Sequence, residues 1–461
     1  MAKCINLTEG SIFNALIKLA LPIIGTSFVQ MAYNLTDMIW VGRLGAKAVA
    51  AVGAAGFFVW LANAIILIPK IGAEVGVAQS VGREDMPEAK RYIRHSLQLI
   101  VFLAIAYAAV LIIFRNPLIA FYRLGEPGIE KDAIEYLVIV SLGMVFFTIN
   151  PVFTAIFNGY GDSRTPFNIN VVGLVLNIIL DPLLILGIGP FPRMEVKGAA
   201  IATVIAQLAV TLIFIAKSKQ RPELFQGLHL LKRPDAPHVK GIVKMGFPMA
   251  LQSGLFTIFA MGTARIIATW GPIPIAVQKV GSQIESLSWM TAGGFQSAMS
   301  AFIGQNFGAK KWERVYKGYF VGVGIVSVLG ILATGLLLFG AEPVFSIFIS
   351  DLESVSHGVI YLNILGFAQL AMVIEIVTAG AFIGHGKTFP PSVVGIVFNG
   401  LRIPGALILS RTSLGLNGVW WAISISSILK GTVLAIWHLR FLRNNPHTRR
   451  FSIYRRVRAE G

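Results

Sequence analysis

The chain is built of long apolar runs separated by short charged or turn-rich breaks. A helix needs roughly 20 mostly apolar residues to cross the hydrocarbon of a bilayer. The pattern predicts twelve such helices, over 12–41, 48–80, 95–114, 133–158, 167–189, 198–216, 241–268, 273–304, 318–340, 357–383, 390–410 and 416–439. Several exceed a perpendicular crossing, which predicts tilt, kinks or extension past the lipid. Pro22, Pro69, Pro151, Pro182, Pro248 and Pro404 lie inside them, and each removes a backbone donor and can bend its helix. A transmembrane barrel would instead alternate polar and apolar residues over strands of about ten. Runs such as LQLIVFLAIAYAAVLII and GAAIATVIAQLAVTLIFIA show no alternation. The expected fold class is an all-α membrane protein.

Composition agrees. Of 461 residues, 55% are hydrophobic and 13% charged, about half the charge of a soluble domain. Disordered chains are polar and charge-rich, so disorder is excluded as well. The single Cys4 rules out a disulfide framework or a multi-cysteine metal site and is expected to be inert. The opening MAKCINLTEG lacks the basic, apolar and small-residue order of a cleavable signal, so the first apolar run is expected to be retained.

The net charge of +17 would suggest nucleic acid on a soluble fold. On a membrane chain it reads as basic loops that set topology and meet anionic lipid head groups, so no nucleic-acid partner is expected. The tails and the loops after even-numbered spans hold 25 Lys and Arg, against 8 in the loops after odd-numbered spans. This bias places both termini in the cytoplasm, with the chain in the plasma membrane.

The two halves repeat. At an offset of 226, Pro22 meets Pro248, Gly45 meets Gly271, Gln79 meets Gln305 and Gly82 meets Gly308. Later, VVGLVLNIILDP (171–182) matches VVGIVFNGLRIP (393–404), and VKGAAIA matches LNGVWWA. The expected domains are a six-helix lobe over 1–216, a cytoplasmic linker over 217–240 and a second six-helix lobe over 241–461 with a basic tail. Six spans per half give parallel repeats about an axis along the membrane normal, an arrangement that commonly encloses a central cavity.

The repeat makes the chain its own control. Asp37 faces Thr263 in the alignment, and Asp181 faces Ile403. An intramembrane carboxylate costs roughly 2.5–3.5 kcal/mol at a helix centre on insertion scales. A scaffold that works with Thr or Ile does not need these Asp residues to fold, so both are assigned to function; the bland alternative has Asp181 capping a break before Pro182. Gln30, Asn34 and Asp37 form a polar stripe at helical spacing, and Asn177 and Asp181 share a face. Thr203 and Tyr136 add oxygen ligands or a hydrogen bond. Such a group can bind a proton or Na⁺, a hard cation that prefers oxygen; the residues leave the ion open. In the second half, Glu375 and Arg402 are expected to form an ion pair, with a second protonation site at Glu375 as the other reading. Glu285 and Lys279 line the cavity or pair elsewhere. No G-x-x-x-x-G-K-[ST] loop, Cys/His cluster or nucleophile elbow is present. Transport is therefore expected to draw on an ion gradient or to be passive, and the protein is not expected to be an enzyme.

The strings YNLTDMIWVGRLG (33–45), AQSVGRED (78–85), NGYGDSRTP (158–166), LNIILDP (176–182) and GAAIAT (198–203) resemble the multidrug and toxic compound extrusion family over the whole chain. YNLTD with LNIILDP resembles its prokaryotic DNA-damage-inducible F type branch. The resemblance implies a monomeric antiporter that exports amphipathic, often cationic, organic compounds by alternating access, with no cofactor beyond the coupling H⁺ or Na⁺. It implies coupling-ion binding at Asp37, Asn177, Asp181, Thr203 and Tyr136, and a substrate cavity with Gln30, Asn34, Asn150 and Thr154. The chain departs from relatives at Thr154, where some have asparagine, and in span 7, where PMALQSGLFTIFAMG lacks an acidic residue. The competing reading is a lipid-linked oligosaccharide flippase of the same wider superfamily. A passive channel is a third.

Overall fold

The computed structural model describes residues 5–349, 351–449 and 451; Cys4 and the end of the basic tail lie outside the described residues. Among the described residues every regular element is helical. In chain order these are α1 (Ile12–Gly42), α2 (Ala46–Gly82), α3 (Met86–Ile113), α4 (Arg115–Ala120), α5 (Pro127–Leu142), α6 (Met144–Tyr160), α7 (Arg164–Leu186), α8 (Glu195–Ser218) and α9 (Pro222–Phe225). They continue with α10 (Ala236–Ala268), α11 (Pro272–Gly308), α12 (Trp312–Phe339), α13 (Ala341–Ser346), α14 (Leu352–Gly384), α15 (Phe389–Gly400), α16 (Arg402–Leu409) and α17 (Leu416–Asn444).

Each predicted span falls on helix. Among the described residues ten helices are long and apolar enough to cross a membrane, and eleven segments are if α5 and α6, bent by 49° at Gly143, form one span. The exception is α11. It is 37 residues long, but Gln278, Lys279, Ser282, Gln283, Glu285, Ser286 and Ser288 make its N-terminal half too polar. Pro22, Pro69, Pro151, Pro182 and Pro248 all lie within continuous helices. The eleventh span breaks at Leu401, three residues before Pro404, where the proline ring disfavours the preceding turn.

The repeat reaches the backbone. Gly45 and Gly271 stand before α2 and α11 at φ 103° and 102°, in the left-handed range that favours glycine. Glu84 and Lys310, again 226 apart, share φ values of 60° and 56°. Close helix approach repeats as well. A Cβ on Gly159 of α6 would stand 2.6 Å from the Glu74 carbonyl oxygen of α2, and one on Gly384 of α14 would stand 2.6 Å from the Ser300 carbonyl oxygen of α11. Small residues at such crossings let backbones meet where apolar lipid offers no hydrophobic drive for association.

The chain divides into two compact units, and their borders differ from the expected 1–216 and 241–461. The N-terminal unit takes in Leu21–Ala250, and the C-terminal unit takes in Asn6–Ala20 with the chain from Leu251 on. Each unit therefore includes the start of the other half's first long helix. In the C-terminal unit, Leu7 is fully buried, and its carbonyl accepts from Asn306 Nδ2 and Arg314 Nη2, each at 3.0 Å. In the N-terminal unit, Gly246 of α10 packs so closely on α2 that a Cβ would stand 2.2 Å from the Ile68 carbonyl oxygen.

The stretch expected as a linker, 217–240, is docked on the N-terminal unit. Gln98 Nε2 donates to the Leu230 and Lys232 carbonyls, each at 2.7 Å. Arg221 Nη2 pairs at 3.0 Å with Asp162 Oδ2, whose side chain is 2% exposed.

Candidate functional site

The strongest polar group of the N-terminal unit joins α1, α7 and α8. Asn177 and Asp181 are fully buried on one face of α7. Asn177 Nδ2 donates to Asp181 Oδ1 at 3.0 Å and to Asp37 Oδ1 of α1 at 3.2 Å. Thr203 Oγ1 of α8 donates to Asp37 Oδ2 at 3.3 Å. Asp37 and Asp181 also meet side chain to side chain. The structure thus brings together four residues that lie up to 166 positions apart. Tyr136 of α5 is buried close enough for both carboxylates to act on its hydroxyl.

Helix α7 runs unbroken through Pro182, so Asp181 caps no break. Asp181 Oδ2 and Asn177 Oδ1 are buried and receive no hydrogen bond. Two facing carboxylates cannot both stay ionised in a dry interior without a compensating positive charge. One proton shared between them satisfies the pair. So does a small cation held by the Asp37 and Asp181 carboxylates and the free Asn177 carbonyl, an all-oxygen donor set that suits a hard ion. The residues present fit either occupant.

The other predicted residues divide. Gln30 and Asn34 are exposed and share no hydrogen bond with the Asp37 group. Asn150 of α6 is buried and tied to α8: its Nδ2 donates to the Gln207 carbonyl at 3.0 Å and to Gln207 Oε1 at 2.9 Å, and its Oδ1 accepts from Thr211 Oγ1 at 2.8 Å. Thr154 Oγ1 donates within α6 to the Asn150 carbonyl at 3.0 Å.

Sequence reasoning missed Tyr33, Gln207 and Thr211. Tyr33 is buried, and its hydroxyl donates to the Thr203 carbonyl at 3.5 Å and also meets Gln207. These residues extend the carboxylate group into one polar chain through Thr203, Tyr33 and Gln207 to Asn150. The signal was present: Thr203, Gln207 and Thr211 recur at intervals of four in an otherwise apolar span.

In the C-terminal unit the expected Glu375–Arg402 pair is corrected. Glu375 of α14 pairs with Lys430 of α17 at 3.1 Å, with both side chains largely buried. Arg402 donates instead through Nε to Ser426 Oγ at 2.8 Å and through Nη2 to Ser427 Oγ at 2.9 Å. Glu285 of α11 accepts from the Tyr361 hydroxyl at 2.8 Å and from Gln369 Nε2 at 3.4 Å.

Among the described residues, one cluster, His95, Asp235 and His238, offers metal-ligand atoms within 4.8 Å of one another. Its nitrogens already have partners. His95 meets Arg94 and Gln98, and His238 meets Asp235 and, at 3.1 Å, Glu88. Arg94 places a positive charge beside it, so the cluster reads as a clasp holding the start of α10 to α3. A cavity of about 450 Å³ lies under the docked 217–230 stretch and shares no residue with the carboxylate group.

The family model MatE matches twice, over residues 22–183 and 248–408, with starts again 226 apart. The chain belongs to the MatE family. Among MatE-like relatives, it is 30% identical to the probable multidrug resistance protein NorM of Thermotoga maritima, over 92% of this chain and 91% of the relative. It is 26% identical to a Shewanella oneidensis protein named as an FAD transporter, over 92% of this chain and 94% of the relative. The crystal structure of a MATE protein in the straight conformation superposes with a TM-score of 0.87 at 25% identity, over 95% of this chain and 98% of that one. The chain is thus a multi-pass membrane protein with the fold of a MATE transporter.

Proposed function

We propose that this MatE-family chain is a secondary active exporter of amphipathic, often cationic, organic compounds, driven by H⁺ or Na⁺ at the Asp37–Asp181 group. It works by alternating access, as a monomer, in the plasma membrane with both termini cytoplasmic. One observation carries this reading. Two facing carboxylates on α1 and α7 leave Asp181 Oδ2 and Asn177 Oδ1 buried with no donor, where a proton or small cation completes the set. The name of the Thermotoga relative supports the substrate class. The pairing of YNLTD with LNIILDP supports the DNA-damage-inducible F type branch.

The physical cycle follows from the hydrogen bonds. With the ion absent, the two carboxylates repel each other, and among the described residues Asn177 and Thr203 are the side chains that donate to them. Ion binding removes the repulsion and draws α1, α7 and α8 together through Asp37, Asp181 and Thr203. The repacking of α1 changes the cavity wall and displaces the exported compound. Release of the ion on the other face resets the helices.

The Shewanella name favours a second substrate class, an organic anion. Everted vesicles separate the two: an imposed ΔpH or Na⁺ gradient is expected to drive accumulation of a fluorescent organic cation and not of FAD. The Asp37→Asn variant is expected to lose that uptake while the protein remains in the membrane. Full gradient-driven uptake in Asp37→Asn would overturn the coupling assignment.

A further inference from the structure

The stretch 217–240 has features that the carboxylate group leaves unused. It crosses the basic end of α8 as a strap fixed at several points. Leu224 is fully buried. Lys90 Nζ donates to the Gln226 carbonyl at 2.9 Å, and Gln98 holds the Leu230 and Lys232 carbonyls further on. Beneath the strap lies the cavity of about 450 Å³, within the size range of small-molecule sites, roughly 300–1,000 Å³. Leu97 of α3, Phe153 of α6, and Phe225 and Leu228 of the strap line it. Its aromatic floor is closely packed: the Phe153 ring stacks on Phe214 at 5.4 Å, and Phe157 meets Phe225 at 5.7 Å between centroids.

Water is a poor occupant of such walls, because a held water needs two to four polar partners. The Ser218 hydroxyl of the lining already donates to the Phe214 carbonyl at 2.8 Å. The cavity is open on one side, where Ile215 and Leu230 of its lining are 44% and 49% exposed. Ile215 belongs to α8, which is long and apolar enough to cross the membrane, so the opening meets lipid. On the same rim stands Lys219, which is exposed and makes no ion pair among the described residues. Just past Leu230, Lys232 and Arg233 are exposed and form no ion pair there either. Leu231 beside them is fully exposed. An apolar side chain next to basic ones fits the level of the head groups, where the leucine enters the acyl boundary and the basic side chains attract anionic lipid.

We infer that this cavity is a binding site for an anionic phospholipid. One acyl chain lies among Leu97, Phe153, Phe225 and Leu228, and the phosphate meets Lys219 at the rim. Charge decides the class of lipid. A zwitterionic phospholipid offers the same chain but no net negative charge to the basic rim. An exported organic cation would face Lys219 with no acidic side chain in the lining to offset it. The cavity shares no residue with the Asp37–Asp181 group, so this inference stands apart from the coupling-ion reading.

The test is native mass spectrometry of the full-length protein in detergent, with phosphatidylglycerol or phosphatidylcholine of matched chains added in equal amounts. The wild type is expected to retain one phosphatidylglycerol in preference to phosphatidylcholine. Lys219→Ala is expected to weaken phosphatidylglycerol binding about fivefold, the effect of one basic side chain at a lipid surface, and to leave phosphatidylcholine binding unchanged. Lys240→Ala removes the same charge from the start of α10, outside the cavity lining, and is expected to change neither. Leu228→Trp fills the cavity and is expected to lose the retained lipid. Equal retention of the two lipids by the wild type, or equal weakening in Lys219→Ala and Lys240→Ala, overturns the inference. If Leu228→Trp does not elute as a single species, the two lysine variants decide. Displacement of the phospholipid by equimolar oleate would assign the cavity to a free fatty acid, and displacement by tetraphenylphosphonium would assign it to an exported cation; either result also overturns the inference.

Discussion

Asp37 and Asp181 differ in how the fold treats them. Asp181 is fully buried, whereas Asp37 is only half-buried on α1, so of the two carboxylates Asp37 is the more accessible. Thr203 gives Asp37 one of its two side-chain donors. Removing a hydrogen bond of this kind changes stability by about 0.5–1.5 kcal/mol. Thr203→Val is therefore expected to reduce ion affinity roughly two- to tenfold without abolishing transport. The half-maximal Na⁺ concentration or pH of gradient-driven uptake reads this shift; an unchanged midpoint would remove Thr203 from the site. Asn177→Ala removes the bridge between the two acids and is expected to cost more than Thr203→Val in the same assay.

At the scale of the element, packing rests on positions where a side chain cannot fit. A Cβ on Gly384 would meet the Ser300 carbonyl oxygen at 2.6 Å, a backbone atom that cannot rotate away, whereas nothing lies within 4 Å of a Cβ on Gly53. Gly384→Ala is expected to destabilise by about 1–3 kcal/mol, the usual range for overpacking. Gly53→Ala in the interior of α2 is expected to stabilise by about 0.5–1 kcal/mol. Thermal unfolding of the two variants in detergent checks both, and the opposite signs make the pair its own control. The same logic explains why helix was legible from the sequence while the crossings were not. Apolar runs predict helices, but which glycine faces a neighbouring backbone depends on how the helices are rotated and spaced.

For the whole molecule, the Lys and Arg bias predicts orientation. Cys4 is the only cysteine, so a membrane-impermeant thiol reagent labels a single position. Labelling is expected in everted vesicles and not in intact cells; the reverse result would invert the topology. The division into two units is a different matter. Asn6–Ala20 belongs with the C-terminal unit, and the start of α10 belongs with the N-terminal one. A border drawn at the polar stretch 217–240 misses this exchange, because polarity marks where a chain leaves the membrane and not which helices it packs against. Arg314 holds the exchanged segment through the Leu7, Glu9 and Gly10 carbonyls. Arg314→Ala is expected to lower the unfolding temperature while leaving the carboxylate group of the N-terminal unit intact.

The sequence by itself determined the helical class, the repeat and the two acids that break it. Apolar run length, a fixed offset and the cost of an intramembrane charge are all properties of the chain read in one dimension. It also brought out Asn177, four residues from Asp181 on one helix face, and Thr203 as an oxygen-bearing side chain in span 6. Only the tertiary structure decided who meets whom. It paired Glu375 with Lys430 and not with Arg402, drew Tyr33 and Gln207 into the polar chain, and left Gln30 and Asn34 outside it. Those outcomes depend on helix rotation and on which faces are buried against each other, and residues far apart in the chain carry no local signal of either.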